Sequence, residues 1–308
     1  MEMENDKKLQ IGIDVGGTNI EACAFFENAH NSDCAAYVHR PYPHGENAHV
    51  LCDVLAECIT ELTRKFSVTP LQIKGVGIAT PGSLDTEHGI IIHAYNLGLH
   101  NVHITEMMQS RFSHIPFQLL NDADAATLGE LKLGALQGVT SGCMITLGTG
   151  VGAGIIIDGK LYRGGKMRGT ELGHMTLDMH GQMCTCGNRG CIEVLCSATA
   201  LAKLGRHICG DESLTARDVT ERAKSGDVLA MQAFAEYVDA LSSALSAYMC
   251  LLDPERIVIG GGVSLAGDFL FKPLREMTEE KCFFKPMCDI CAAELGDKAG
   301  ALGAAFAF

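Results

Sequence analysis

The stretch from Glu171 to Glu193, ELGHMTLDMHGQMCTCGNRGCIE, concentrates residue types that bind metals and polar ligands. His174, Cys184, Cys186 and Cys191 follow the spacing H-x9-C-x-C-x4-C, with Gly181, Gly187 and Gly190 supplying the bends that four converging ligands need. Three thiolates and one imidazole complete a tetrahedral shell and suit Zn2+. No position stays open for a catalytic water, so such a metal is structural. The alternative is a set of ordinary thiols or a disulfide, which spacing does not distinguish. Against it, three cysteines interleaved with glycine are poor material for a packed core. Glu171 lies three residues before the histidine and Glu193 two after the last cysteine, so a bound metal fixes both acids where a polar ligand could meet them.

Other candidate groups lie at strand ends. Leu9–Asp14 alternates as a strand and passes through Val15-Gly16-Gly17-Thr18-Asn19 into the apolar run Ile20–Phe26. This reads as a hairpin or as a phosphate cradle. In the second reading the backbone N–H groups of Gly16 and Gly17 and the Thr18 hydroxyl meet phosphate, and Asp14 holds Mg2+ through water. It is not a P-loop, which carries Lys after its glycines and opens a helix. The unit recurs: Cys143–Leu147 leads into Gly148-Thr149-Gly150-Val151-Gly152 and then Ile155–Ile157. Two such turns in matching strand contexts indicate two related halves, each presenting a glycine turn to one nucleotide. A third site is Gly260-Gly261-Gly262 after the strand Arg256–Ile259, where backbone can approach a base or phosphate. Thr80-Pro81-Gly82 is a candidate pocket wall or a plain turn. Asn121-Asp122 follows the strand Phe117–Leu120. Asp122 there is a helix N-cap, or it is a base that accepts a hydroxyl proton while the pair grips a polyol; Asp124 is a first-turn acid.

The elements that must position these residues follow an α/β pattern. An amphipathic helix over Glu46–Phe66 precedes a buried strand over Lys74–Ala79, and Ala123–Leu133 is helix-forming. Asp158-Gly159 signals a type I′ hairpin before Lys160–Tyr162. Asp227–Leu252 is a long helix whose stripe of Val228, Met231, Phe234, Val238, Leu241, Leu245, Tyr248 and Leu252 faces a core. At 308 residues two domains are expected. A smaller one spans 1–118 and a larger one 119–296, with a closely packed final helix over 297–308 returning to the first. With 47% apolar and 20% charged residues the chain is globular. A net charge of −13, without Lys/Arg clusters, argues against nucleic acid or an anionic membrane as partner. Fourteen cysteines suit a reducing compartment, MEMENDKK is no signal peptide, and no apolar run spans a bilayer, so the cytoplasm is expected.

Taken together these motifs resemble the ROK family of sugar kinases, within the actin-like ATPase superfamily, over nearly the whole chain from Ile11. D-x-G-G-T corresponds to Asp14–Thr18, the N-D pair to Asn121-Asp122, and L-G-T-G-x-G to Leu147–Gly152. E-x-G-H corresponds to Glu171–His174 and C-x-C-G-x-x-G-C-x-E to Cys184–Glu193. The resemblance implies a two-domain, ribonuclease H-like α/β fold with a ligand cleft between the domains. It implies that Asn121, Asp122, Glu171, His174 and Glu193 contact a sugar, with Asp122 as base. ATP with Mg2+ would be received by the two glycine turns (Gly16, Gly17, Thr18; Gly148, Thr149, Gly150, Gly152) and by Gly261 and Gly262. A homodimer or higher homo-oligomer is implied as well.

The expected reaction moves the γ-phosphoryl group of ATP to a sugar hydroxyl, on C6, with positioning and electrostatics carrying it. Glucose is the first expectation. Two departures from the family pattern keep N-acetylmannosamine, N-acetylglucosamine, allose, mannose and fructose open. Asn96-Leu97-Gly98 is followed by Leu99-His100 where an aromatic is frequent, and Val194–Ala198 stands where a Ser-Gly pair is common. A sugar-sensing repressor of the same family is the alternative class. It carries a helix-turn-helix domain ahead of the first glycine turn, and only ten residues precede Ile11. An actin-like ATPase acting on protein partners would have no use for the zinc loop. Finally, one nitrogen of His174 can ligate zinc while the other donates to a sugar hydroxyl, so zinc removal is expected to release the sugar contacts and spare the ATP turns.

Overall fold

The computed structural model describes residues 7–27, 36–42, 47–167 and 169–308. Two compact units divide the chain. The first comprises Met1–Gln137, Leu161–Gly169 and Asp297–Phe308; the second comprises Gly138–Lys160 and Thr170–Gly296.

In chain order the first unit contains β1 (Leu9–Val15), β2 (Asn19–Phe26), β3 (Ala36–Pro41), α1 (Ala48–Lys65), β4 (Ile73–Thr80) and β5 (Ser83–Asp85). It continues with β6 (Ile90–Ala94), β7 (Leu99–Val102), α2 (Ile104–Arg111), β8 (Phe117–Asn121) and α3 (Asp122–Leu133). The second unit holds β9 (Gly142–Leu147), β10 (Val151–Ile157), α4 (Ile192–Cys196), α5 (Ala198–Cys209), α6 (Ala216–Lys224) and α7 (Val228–Leu252). The short strand β11 (Lys160–Tyr162) follows β10; β12 (Arg256–Gly260), α8 (Asp268–Lys281) and β13 (Asp289–Ala292) come after α7, and α9 (Ala299–Ala305) returns to the first unit.

Each unit is built on a five-stranded sheet, and the two sheets share one topology. Their orders are β3-β2-β1-β4-β8 and β11-β10-β9-β12-β13. In both, the first two strands of the unit pair antiparallel across a glycine turn, and the parallel strands follow on the other side. The repeat read from the two glycine turns is therefore a repeat of whole sheets.

The boundary expected after residue 118 lies later, because β8 pairs in register with β4, from Val76↔Phe117 to Thr80↔Asn121. The strand and the helix after it thus belong to the first unit, which runs to Gln137. β1 is also more deeply buried than its alternation suggests. The apolar face of α1, with Leu51, Leu55, Ile59 and Leu62, joins Leu9, Ile11 and Ile13 in one core. α9 covers the opposite face so closely that a Cβ on Gly12 would lie 1.9 Å from Ala301 O, and one on Gly77 1.9 Å from Ala304 O. Ala and Gly in the final helix are there for this approach of backbone to sheet.

Local chemistry sets the helix ends. Asn47 caps α1 by accepting from the N–H groups of His49 and Val50, so the helix starts two residues later than the pattern suggests; Glu46 lies outside the described residues. Asp227 caps α7, and Asp253 ends it in the left-handed region before Pro254. The expected stripe on α7 holds from Phe234 onward, whereas Val228 is 76% and Met231 48% exposed, because at the start of the helix the core-facing positions are Ala230 and Ala233. Asp158 (φ 53°) and Gly159 (φ 68°) form the expected type I′ turn. A third sheet, the three-stranded β5-β6-β7, carries no motif and goes unread in the sequence.

Candidate functional site

In the first unit the reactive groups collect at the strand ends. Asp14 is the penultimate residue of β1 and pairs with Glu21 across the hairpin. Its pKa is pushed up to about 7, first by burial and then by the charges of Asp122 and Glu21. Gly300 at the start of α9 abuts it, a Cβ there falling 2.2 Å from Asp14 Oδ2. Crowded acids of this kind fit a site for a divalent cation, whose charge would relieve their repulsion. Gly16 N–H closes the adjoining turn on Asn19 O at 2.9 Å, and the Thr18 hydroxyl accepts from Asn19 Nδ2 at 3.2 Å. Gly17 has room for a side chain, its nearest neighbour being Asn96 O at 3.8 Å. Neither glycine adopts a positive φ. Gly17 thus meets open space rather than a special conformation, while at Gly16 a Cβ would lie 3.0 Å from Asn19 O.

At the β8–α3 junction the capping role and the carboxylate separate. Asn121 is the N-cap, its Oδ1 accepting from Ala123 N–H (2.9 Å) and Asp124 N–H (3.3 Å). Asp122 is the first helical residue and adds one bond from Ala123 N–H at 2.9 Å. Burial raises its pKa, against the lowering effect of that N–H. A raised carboxyl at a helix start is suited to take up a hydroxyl proton. Gly82 follows β4 with φ 111°, where a Cβ would strike His93 O at 2.3 Å, so glycine is required for the chain to turn there. Of the residues at the family departures, Leu97 is core and His100 is exposed opposite His93 on β6.

In the second unit the loop after Thr170 gathers the four expected donors. The ligating atoms of His174, Cys184, Cys186 and Cys191 all lie within 4.8 Å of one another. Cys186 Sγ is 3.6 Å from Cys191 Sγ, and His174 Nδ1 is 3.6 Å from Cys184 Sγ. A disulfide would require ~2.05 Å. Four donors at about 2.3 Å from a tetrahedral centre stand roughly 3.8 Å apart, and the two 3.6 Å pairs come near that edge. Gly187 (φ 92°) and Gly190 (φ 60°) turn the backbone, while Gly181 permits close approach of Gly190 Cα. The N–H of Asn188 and the neighbouring thiols hold the Cys186 thiol below its usual range, whereas burial and its neighbours push Cys191 up to about 12.

The acids around this loop have distinct surroundings. His174 Nε2, the nitrogen turned away from Cys184, lies 4.0 Å from Glu171 Oε2. Glu193 is half-buried; its Oε2 accepts from Val151 N–H at 3.1 Å and its Oε1 lies 3.7 Å from Cys184 Sγ. Ser197, at the second departure, caps α5 by accepting from Ala200 N–H at 3.0 Å.

The second glycine turn spans Gly148–Gly150, with Gly148 N–H donating to Gly150 O at 3.1 Å. Gly148 is open, with nothing within 4 Å of an added Cβ, whereas at Gly150 that atom would lie 2.3 Å from Glu193 Oε2. Gly152 falls outside the turn, within β10 and paired with Thr146. At the end of β12, Gly261 (φ 84°) passes so near Leu147 O that a Cβ would sit 2.5 Å away, and Gly262 faces open space. Gly262 lines a pocket of about 420 Å3 with Ala198, Arg217, Thr220, Val263 and Ala266. The α6 residues went unread in the sequence because nothing local marks them; they are brought to Gly262 by the helix packing alone.

Residues 10–308 match the model of the ROK family. A glucokinase from Thermotoga maritima is 33% identical, over 96% of this chain and 95% of that protein. The ROK hexokinase from Thermus thermophilus has a similar structure, with TM-score 0.86 and 31% identity over 96% of each chain. A ROK family glucokinase from Streptomyces griseus, in complex with glucose and AMPPNP, gives TM-score 0.80 at 29% identity over 97% and 98% of the two chains.

Proposed function

The chain belongs to the ROK family, and from that premise we propose that it is an ATP-dependent hexose kinase acting on the C6 hydroxyl, with glucose as the leading substrate. The observation that carries the reading is the division of labour at the β8–α3 junction. Asn121 satisfies the helix start, so the raised Asp122 carboxyl is available as the base. Asn121 Nδ2, Glu171, His174 Nε2 and Glu193 are the sugar-binding groups, donating to and accepting from ring hydroxyls, and Gly82 shapes the turn after β4.

Nucleotide binding draws on both glycine turns. Backbone N–H groups around Gly16, Gly17, Gly148 and Gly150 meet phosphate, joined by the Thr18 hydroxyl, and the Gly261–Gly262 corner with its pocket receives the base. Asp14 is the acid that holds Mg2+, which when bound neutralises charge on the transferring phosphoryl group. Asp122 accepts the hydroxyl proton as the oxygen bonds to phosphorus and the ADP oxygen leaves. The four donors of the loop hold one structural Zn2+, supported by their 3.6 Å spacings. No helix among the described residues is long and apolar enough to cross a membrane; the fourteen cysteines suit a reducing compartment, and the proposed setting is the cytoplasm.

The test is a panel of hexoses and N-acetylhexosamines with ADP release coupled to a chromogenic readout. Glucose should give the highest kcat/KM, with glucose 6-phosphate as product. If N-acetylmannosamine is preferred, the kinase reading stands and the substrate changes. Sugar binding without ADP release from any member would favour a non-catalytic sensor.

A further inference from the structure

The segment that leaves the metal loop also grips the second glycine turn. Cys191, the last of the four donors, is the N-cap residue of α4, and Glu193 stands in that helix's first turn. Its Oε2 accepts Val151 N–H at 3.1 Å and leaves no room for a side chain at Gly150, where a Cβ would lie 2.3 Å from it. α5 follows at once: Ala198 N–H donates to Gly148 O at 2.8 Å, and Thr199 Oγ1 donates to Thr149 O at 2.8 Å. On the other side of the cysteines, Gly173 lies so close to β10 that a Cβ would meet Val151 O at 2.1 Å. Gly148 and Thr149 each accept a hydrogen bond from this one segment through their carbonyls, and Val151 donates one to it through its N–H.

We propose that this clamp makes metal occupancy of the loop set the affinity for nucleotide, and that Glu193, Ala198 and Thr199 are positioning residues for the phosphate turn. The proposal rests on the metal and phosphate readings above. A backbone anion site binds well only if its N–H groups are already aimed, because ordering a loose turn at the moment of binding subtracts from affinity. Here the carbonyls and one N–H of the turn are fixed by groups whose own positions depend on the chain running from Cys191. Metal binding is folding free energy for the loop and so for the clamp. By linkage, bound nucleotide must in turn hold the metal more tightly by the same factor. This reverses the expectation that metal removal would spare the ATP turns.

The experiment uses the full chain, without sugar. Zinc content is measured by elemental analysis, and Mg2+–AMPPNP is titrated by calorimetry before and after chelation. Absence of zinc from the purified protein would defeat the metal reading, and absence of AMPPNP binding to zinc-loaded protein would defeat the kinase reading. With both in place, chelation should weaken AMPPNP binding at least 10-fold, and AMPPNP should slow zinc release to the chelator. Equal AMPPNP affinity with and without zinc overturns the proposal. Should the stripped protein unfold, Thr199→Val with zinc retained decides. Losing one neutral hydrogen bond to the turn should raise the AMPPNP Kd about 2- to 10-fold and leave glucose binding unchanged. An unaltered AMPPNP Kd in that folded variant would show that the turn does not need the clamp.

Discussion

The two glycine turns are the same device on the same sheet topology, yet they are held in different ways. The first lies between β1 and β2, with an acid one residue before the strand ends; the second lies between β9 and β10, with Thr146 in that position. Asp14 is crowded by burial and by Asp122 and Glu21, so the first turn carries chemistry that responds to charge. The second turn has its carbonyls and an N–H tied by Glu193, Ala198 and Thr199, so its character is geometric. Under the function proposed above, one of the two like sheets serves the acids and the metal-bound phosphate, and the other holds its turn as a fixed cradle. The difference predicts that substitutions of the first unit's acids act on turnover and that substitutions in the second glycine turn act on nucleotide affinity.

The largest effect is expected from Asp122→Asn. The variant preserves shape, and the helix cap rests on Asn121, so folding should be unchanged. Loss of the base should reduce kcat by about 10²- to 10⁴-fold, with little change in the KM for ATP. Near-normal kcat would remove the acid chemistry from the first unit and with it half of the contrast.

Next comes Gly148→Val. An added side chain meets no protein atom within 4 Å, so the fold should tolerate it, while the space a phosphate needs is filled. The KM for ATP should rise by on the order of 10-fold or more with kcat much less affected. Gly150→Val is the wrong probe, since its side chain would collide with Glu193 and disturb the clamp and a sugar contact together. A kcat effect larger than the KM effect at Gly148 would show that the second turn is more than a cradle.

The sequence disclosed these turns unevenly, for physical reasons. Metal donors and strand–glycine–strand units are local in the chain, so His174, Cys184, Cys186 and Cys191 and both turns could be read from spacing. The clamp could not, because Glu193 is marked only as an acid next to a cysteine, and its bond to Val151 spans 42 residues. The assignment of Asn121 rather than Asp122 as cap depends on which side chain points back along α3. Likewise the boundary expected after residue 118 cuts through β8, because its partner, β4, lies about forty residues earlier and no periodicity reports strand pairing.

A smaller effect concerns pH. Asp14, near 7, and Asp122, also raised, must both be ionised, one to hold Mg2+ and the other to take a proton. kcat/KM should therefore fall as pH drops below about 7, well above the usual carboxylate range. Rising Mg2+ favours the ionised form of Asp14 and should move that limb to lower pH. A profile flat down to pH 5 at low Mg2+ would mean that the acids are not crowded in solution.

The smallest expected effect is on stability, and its sign is opposite to that of a salt-bridged acid. Asp14 has a folded pKa of about 7 against an ordinary value of 3.8, so the folded state binds more protons than the unfolded one between these limits. Stability therefore declines as pH rises through that window, and the whole penalty of burying the charge is felt above it. Asp14→Asn removes the charge and should raise Tm at pH 8 by on the order of a few degrees, with little gain below pH 4. Saturating Mg2+ should shrink the gain, because the cation already offsets the repulsion in the parent protein. The equivalent change in the second unit, Thr146→Asn, carries no charge to relieve and should show no such pH dependence. Calorimetry of both variants at pH 4 and 8 makes the comparison directly. Equal Tm shifts at the two pH values for Asp14→Asn would mean that the first turn, like the second, is held by packing rather than set apart by its acids.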